Sequence, residues 1–149
     1  MASRRKGRIL AFQALYCWES SRIPPGELMS FSWLEPARRS ALDKEGIGDF
    51  SRLLIAGTTE NIEAIDGMIK KHLEHWDISR LSRVDLAILR MSVYTLMYQG
   101  EIAPLIAIDE AIGISKEFGT DDSFRFVNGV LDSIRKTILA EREAALSPP

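Results

Sequence analysis

One cysteine in 149 residues, Cys17, leaves no internal disulfide to draw, so the chain is not a disulfide-stapled secreted scaffold. No apolar run approaches the roughly 18 residues that a membrane span requires. The start is basic, but Gln13, Glu19, Ser20, Ser21 and Arg22 interrupt any continuous apolar stretch behind it, and no small-residue cleavage site follows. That pattern is not a signal peptide, and the expected setting is cytoplasmic with no membrane contact. The phosphate-binding and redox signatures G-x-x-x-x-G-K-[ST], G-x-G-x-x-G and C-x-x-C are all missing. Gly46-Ile47-Gly48 is too short to cradle phosphates and has no strand before it. A formal net charge of −2 also denies the simplest mark of a nucleic-acid binder, a globally basic chain.

What is present is a globular composition, 46% hydrophobic and 27% charged, in a length that suits one domain, residues 1–149. Apolar spacing is helical throughout, and no run alternates with period 2 for long enough to make a sheet, so the fold class is all-α. The first helix carries Ile9, Phe12, Leu15 and Tyr16 on one side and ends at Pro24-Pro25-Gly26. Leu28, Met29, Phe31, Trp33 and Leu34 predict a short helix before Pro36, followed by a polar connection to Gly48. From Phe50 to Trp76 the near-3.6 period predicts one long helix of about seven turns. Ser82 and Asp85 have capping-box spacing for a buried helix that stops at Gly100. Pro104 opens a helix closed by Gly119, and Thr120, Asp121 and Asp122 are candidate N-caps for the last one. Its core stripe reads Phe124, Val127, Leu131, Ile134 and Ile138, and its tail from Glu141 reads as frayed.

Enzyme chemistry has weak candidates. Cys17 lacks a histidine nearby in sequence and reads as a small semi-buried helix residue. His72, Glu74 and His75 are the one cluster of ligand type, but Glu74 points away from the two histidines, so the cluster reads as a polar helix C-terminus and no metal or other cofactor is expected. Asp109-Glu110 reads as a solvated face and Asp121-Asp122 as capping residues, not as acid/base pairs.

The charge asymmetry is stronger. Arg4, Arg5, Lys6 and Arg8 are four cations among the first eight residues, with no acid before Glu19. Cations at a helix N-terminus oppose the macrodipole, so this start either frays into a solubilising arm or meets an anion. Arginine forks suit phosphate, while Gln13 and Tyr16 further along can bond to or stack on unpaired bases. A second candidate surface lies at the start of the last helix. There Phe126 is either a flanking core residue packed on Val130 or a platform for a base, with Ser123, Arg125 and Lys116 around it and Asp122 as an acidic brake.

Several stretches, in order from residue 4 to about 135, together resemble the family of bacterial transcription antitermination factors called NusB. They are Arg4-Arg5-Lys6-Gly7-Arg8 with Ala11-Phe12-Gln13-Ala14-Leu15-Tyr16; Phe50 to Gly57; Ile65-Asp66; Arg80 to Arg90 with Tyr94 and Leu96; Pro104; Ile108-Asp109-Glu110-Ala111; Lys116; Phe118; and Ser123 to Asp132. The resemblance implies two small helical bundles packed at a steep angle, about residues 1–78 and 79–149, and a non-enzymatic activity. It implies binding of single-stranded boxA RNA jointly with NusE, a small-subunit ribosomal protein. With NusA and NusG in the elongation complex, this lets RNA polymerase read through terminators in ribosomal RNA operons. The positions matching the family's RNA-contacting pattern are the arginine-rich start, Tyr16, Asp122 and Phe126. The same resemblance puts the partner face at Arg80–Arg90, with Arg80, Arg83 and Asp85 as its candidates, and admits a homodimer, since some relatives self-associate.

The chain departs from the family pattern at Leu86, Thr95, Asp109 and Gly113. Leu86 and Thr95 stand where charged residues are usual, which implies an electrostatically altered partner surface. Gly113 costs about 1 kcal/mol relative to alanine in a helix interior. Residues 23–48 carry none of the motifs behind this resemblance, and their role is left open. Two other readings compete: the RNA-binding domain of an rRNA cytosine methyltransferase, which would need a catalytic half that this sequence does not contain, and a helical protein-binding module with no RNA role.

Overall fold

In a computed structural model, residues 2–42, 44–74 and 77–146 are described. Among them the chain forms α1 (Ala2–Ser21), α2 (Pro25–Ser30), α3 (Pro36–Arg39), α4 (Ile47–Glu60), α5 (Ile62–Lys71), α6 (Arg83–Tyr98), α7 (Pro104–Phe118) and α8 (Ser123–Leu146), and no strand. Short 3-10 turns, Lys44–Gly46 and Ile78–Arg80, lead into α4 and α6.

The predicted helix from Phe50 to Trp76 is instead two helices, α4 and α5, and Trp76 itself lies outside the described residues. The break is at Asn61, whose backbone leaves helical geometry at φ −113° and ψ 22°. Its side-chain amide donates to the Gly57 carbonyl at 2.8 Å, and its own N–H reaches the same carbonyl at 3.2 Å. A side chain that takes over a helix carbonyl competes with the next turn, which the apolar spacing cannot register. Gly57 matters here as well. A Cβ at that position would run into the Tyr94 ring, so the glycine is what lets α6 approach α4.

Residues 25–42 are also more ordered than a polar connection. Pro25 and Pro36 each open a short helix at a position where a missing N–H costs nothing. Leu28 and Phe31 are fully buried, and Leu34 and Leu42 nearly so. The segment therefore folds onto the core, with Glu27, Glu35, Arg38 and Arg39 exposed.

At the centre is α6, where every residue from Leu86 to Leu96 is buried. Each fully buried Leu or Ile contributes roughly 1.5–3 kcal/mol relative to an exposed one. Helices α1, α4, α5, α7 and α8 all pack against it, and α1 also lies along α4. As the capping-box spacing predicts, Ser82 Oγ accepts the Asp85 N–H at 3.1 Å. The helix ends at Tyr98 with Gln99 as its C-cap, so Gly100 follows directly as the expected stop, without a left-handed backbone. None of the three candidate N-caps of α8 caps with its side chain; Ser123 Oγ reaches back to accept the Thr120 N–H at 3.0 Å. The last helix continues to Leu146, further than the frayed tail expected from Glu141.

Within this packing sits a buried charge that joins three helices. Arg90 of α6, 7% exposed, donates Nε and Nη2 to the two carboxylate oxygens of Asp66 on α5 at 2.9 and 2.8 Å. Its Nη1 reaches Glu19 of α1 at 2.8 Å, and the guanidinium lies 5.8 Å from the Trp18 ring centroid. Burial alone would lower the Arg90 pKa, but the bonds to Asp66 and Glu19 reverse that and raise it. Breaking a buried charge pair by removing one partner typically costs about 3–5 kcal/mol. We expect Arg90→Ala to lose stability of that order, read as a lower urea midpoint. A loss under about 1 kcal/mol would show that the three helices do not depend on this group.

Candidate nucleic-acid interface

The N-terminal cations are helical from the start: Ser3 to Arg8 all lie in α1. They therefore do not form a frayed arm, and the anion they meet is part of the protein. Glu110 of α7 pairs with Arg5 Nε, and Arg8 Nη1 lies 4.0 Å from the same carboxylate oxygen. This corrects the reading of Asp109-Glu110 as a solvated face, since only Asp109 is exposed. The Arg5 guanidinium also lies over Gly113, where an added Cβ would sit 2.6 Å from Arg5 Nη2. The unexpected glycine thus marks the place where Arg5 crosses α7.

Electrostatics separate the four cations. Hydrogen bonding to Glu110 raises the Arg5 pKa, whereas burial lowers that of Arg8 despite the nearby carboxylate. Arg8 is only 8% exposed, and its guanidinium lies 5.3 Å from the Phe50 ring centroid. Arg4 stacks over the same ring at 4.4 Å but stays exposed, as does Lys6. Two of the four, Arg4 and Lys6, are therefore accessible to an external anion without breaking a bond to Glu110.

Further along α1, Tyr16 is exposed at 38%, and Gln13 one turn before it is half-buried. Phe12 turns inward and packs on Phe118 of α7 with ring centroids 5.3 Å apart. Cys17 is half-buried beside the core, and burial pushes its thiol pKa up, as suits an unreactive side chain.

At the entry to α8 the aromatic roles differ from the expectation. Lys116 and Arg125 both lie over Phe124, at 5.0 and 5.2 Å from its centroid. Phe124, placed in the core stripe by its spacing, is half-buried and sits at the middle of this basic cluster. Lys116 and Arg125 were expected around Phe126; the α7–α8 packing brings them to Phe124 instead. Phe126 is half-buried and packs on the core.

Phe126 also lines a cleft of about 280 Å³ together with Arg80, Leu81, Ser82, Asp85, Thr120, Asp122 and Ser123. Residues read as partner-binding and as RNA-binding thus share one cleft. In it Asp85 Oδ1 is buried with no hydrogen-bond partner among the described residues, because the reciprocal half of the capping box is not made. Arg83 lies outside the cleft, reaching Ser20 Oγ of α1 at 3.3 Å. Leu86 and Thr95, expected to alter the partner surface, are 6% and 4% exposed and face the interior. His72 caps α5 and bonds through Nδ1 to Ser133 Oγ at 2.6 Å, Glu74 is exposed, and His75 lies outside the described residues.

The sequence matches the model of the NusB family over residues 5–136. It is 52% identical over 134 residues to the transcription antitermination protein NusB of Treponema pallidum (strain Nichols), covering 90% of this chain and 93% of that one. Among solved structures, T. maritima NusB superposes with a TM-score of 0.77 at 36% identity, over 89% of this chain and 90% of that one. A complex of antitermination factors NusB and NusE with dsRNA contains a chain that superposes with a TM-score of 0.80 at 29% identity, over 92% of this chain and 98% of that one.

The Glu110 pairing sets a pH dependence. Burial pushes the Glu110 carboxyl up, but the bond and charge of Arg5, with Arg8, hold it below its ordinary 4.5. A carboxyl depressed in the folded state stabilises above its unfolded pKa, and that contribution is lost as pH falls through the folded value. The urea midpoint should therefore drop on acidification below about pH 4.5, and Glu110→Gln should make that drop shallower. An unchanged acid limb in the variant would remove Glu110 from the account.

Proposed function

The chain belongs to the NusB family, and from that premise we propose that it is a transcription antitermination factor that binds single-stranded boxA RNA together with the ribosomal protein acting as NusE. In an elongation complex that also carries NusA and NusG, it promotes read-through by RNA polymerase in ribosomal RNA operons. It acts by binding its RNA, not by transforming it.

The observation that carries this reading is the continuity of one surface. Arg5 joins α1 to α7, Lys116 joins α7 to the α8 ring of Phe124, and Phe126 opens the cleft shared with Arg80 and Asp85. Along this path, phosphate is met by Arg4 and Lys6, with Arg5 and Arg8 held in reserve against Glu110. Bases are met by Tyr16 and Phe126, where stacking tolerates any base and Gln13 and Asp122 add polar selection, while Ser123, only 2% exposed and bonded to Thr120, holds the helix entry in place. Arg80, Arg83 and Asp85 sit where the α6 entry meets this surface, so a protein partner docked there would touch the same RNA.

Neutralising a phosphate in single-stranded RNA contributes about −0.7 to the log–log salt slope. Four cations would give about −2.8, but with Arg5 and Arg8 committed to Glu110 the expected share of the N-terminal cluster is about −1.4. Anisotropy titration of boxA RNA in the presence of NusE should show the Arg4→Ala/Lys6→Ala variant losing about that much slope. Phe126→Ala should weaken binding by the roughly 1–3 kcal/mol of one stacked base while the helical circular dichroism stays intact. Unchanged RNA affinity in both variants would sink the proposal, and collapse of the fold in Phe126→Ala would return that ring to the core.

A further inference from the structure

We infer that α3 is part of the RNA-binding surface: Arg38 fixes the Gln13 amide as a hydrogen-bond donor toward an RNA base, and Arg38 itself is placed to take a phosphate. The inference rests on the RNA-binding reading above and adds to it an element outside the motifs that carry the family resemblance.

The placement begins with Leu34 and Leu42, both nearly fully buried, which anchor the chain on either side of α3. Between them Pro36 to Arg39 are exposed, so the side chains of the turn are free while its position is held. From there Arg38 Nη2 donates to Gln13 Oε1 at 2.8 Å. A guanidinium has donors only, so the atom of Gln13 that faces it must be the carbonyl oxygen. The amide NH2 is then turned the other way, where it offers two donors. An unrestrained glutamine presents either end, whereas one pinned by an arginine presents only donors. Those donors suit the carbonyl oxygens of an unpaired uracil or guanine and conflict with the exocyclic amines of cytosine and adenine at the same edge.

Beside this pair lies a cleft of about 210 Å³ lined by Lys6 and Arg38 together with the apolar Ile9, Leu42 and Ile47; among the described residues no acid lines it. Cations beside apolar side chains fit a nucleotide, with the phosphate on the cations and the flat face of the base on the apolar residues. Lys6 belongs to the α1 cluster, so the cleft extends that cluster instead of forming a separate site. One guanidinium can bond the Gln13 oxygen through one nitrogen and a phosphate through another, because it carries five N–H donors in a fixed plane.

The test uses the full chain with NusE and fluorescein-labelled boxA RNA, titrated by anisotropy from about 50 to 200 mM salt. Arg38→Ala should reduce the steepness of the log–log slope by about 0.7, with thermal midpoint and helical circular dichroism unchanged. A merely structural arginine would not move that slope. In the Gln13→Ala background, Arg38→Ala should still lose the slope but no longer change the preference between uracil- and cytosine-substituted RNAs. Unchanged affinity and slope in Arg38→Ala, while Arg4→Ala/Lys6→Ala weakens binding, would overturn the role of α3 and leave the RNA face standing. If neither variant weakened binding, both the inference and the RNA face would fall.

Discussion

Arg90 is the group on which the arrangement of the helices rests. A guanidinium taken out of water carries a desolvation cost of several kcal/mol and is tolerated only where opposite charges meet it with good geometry. Asp66 and Glu19 supply those charges from α5 and α1, so a single side chain on α6 sets the positions of two other helices. Glu19 is held below the usual carboxylate range by its bond to Arg90, which keeps the pair charged through neutral pH. At the other end of α1, Ser51 Oγ donates to the Gly7 carbonyl at 2.7 Å and Arg5 reaches Glu110. The helix is thus clamped near both ends, and the face between the clamps is presented in a fixed orientation.

That clamping has a direct effect on the binding surface. A flexible basic arm would offer all its cations to any polyanion, with little selectivity. Here an internal carboxylate engages two of the four, Phe50 carries a third, and the accessible charge is smaller than the composition suggests. A modest electrostatic contribution leaves more of the affinity to stacking and to the partner, which is where sequence selection arises. The cleft at Phe126 follows the same logic. It sets the carboxylates of Asp85 and Asp122 beside an aromatic ring and hydroxyl groups, and on the proposed reading this would favour a nucleotide entering base first.

Much of this was legible in the residues. The 3.6 periodicity, Pro104 at a helix start and Ser82 at its cap are local signals, and outside the stretch from Phe50 to Trp76 they gave helices where helices are found, because a helix satisfies its backbone within its own segment. The ordered set of motifs likewise identified the family. The failures share one cause. Asn61 broke a helix through a side-chain bond that hydrophobic spacing does not contain. Phe124 was assigned inward because its spacing matched the core stripe, yet Lys116 and Arg125 claim its ring. Glu110 looked solvated because its partner is 105 residues away.

By itself, then, the sequence determined an all-helical chain, its family and the residue types able to hold RNA, since these depend on neighbours within a few turns. Only the tertiary structure decided which charges remain free, that Arg80 and Asp85 share a cleft with Phe126, and that Arg38 turns the amide of Gln13. Those outcomes depend on distance in space between residues far apart along the chain. At those separations a side chain's bonding, and hence its chemistry, is set by the helix packed against it, not by its own turn.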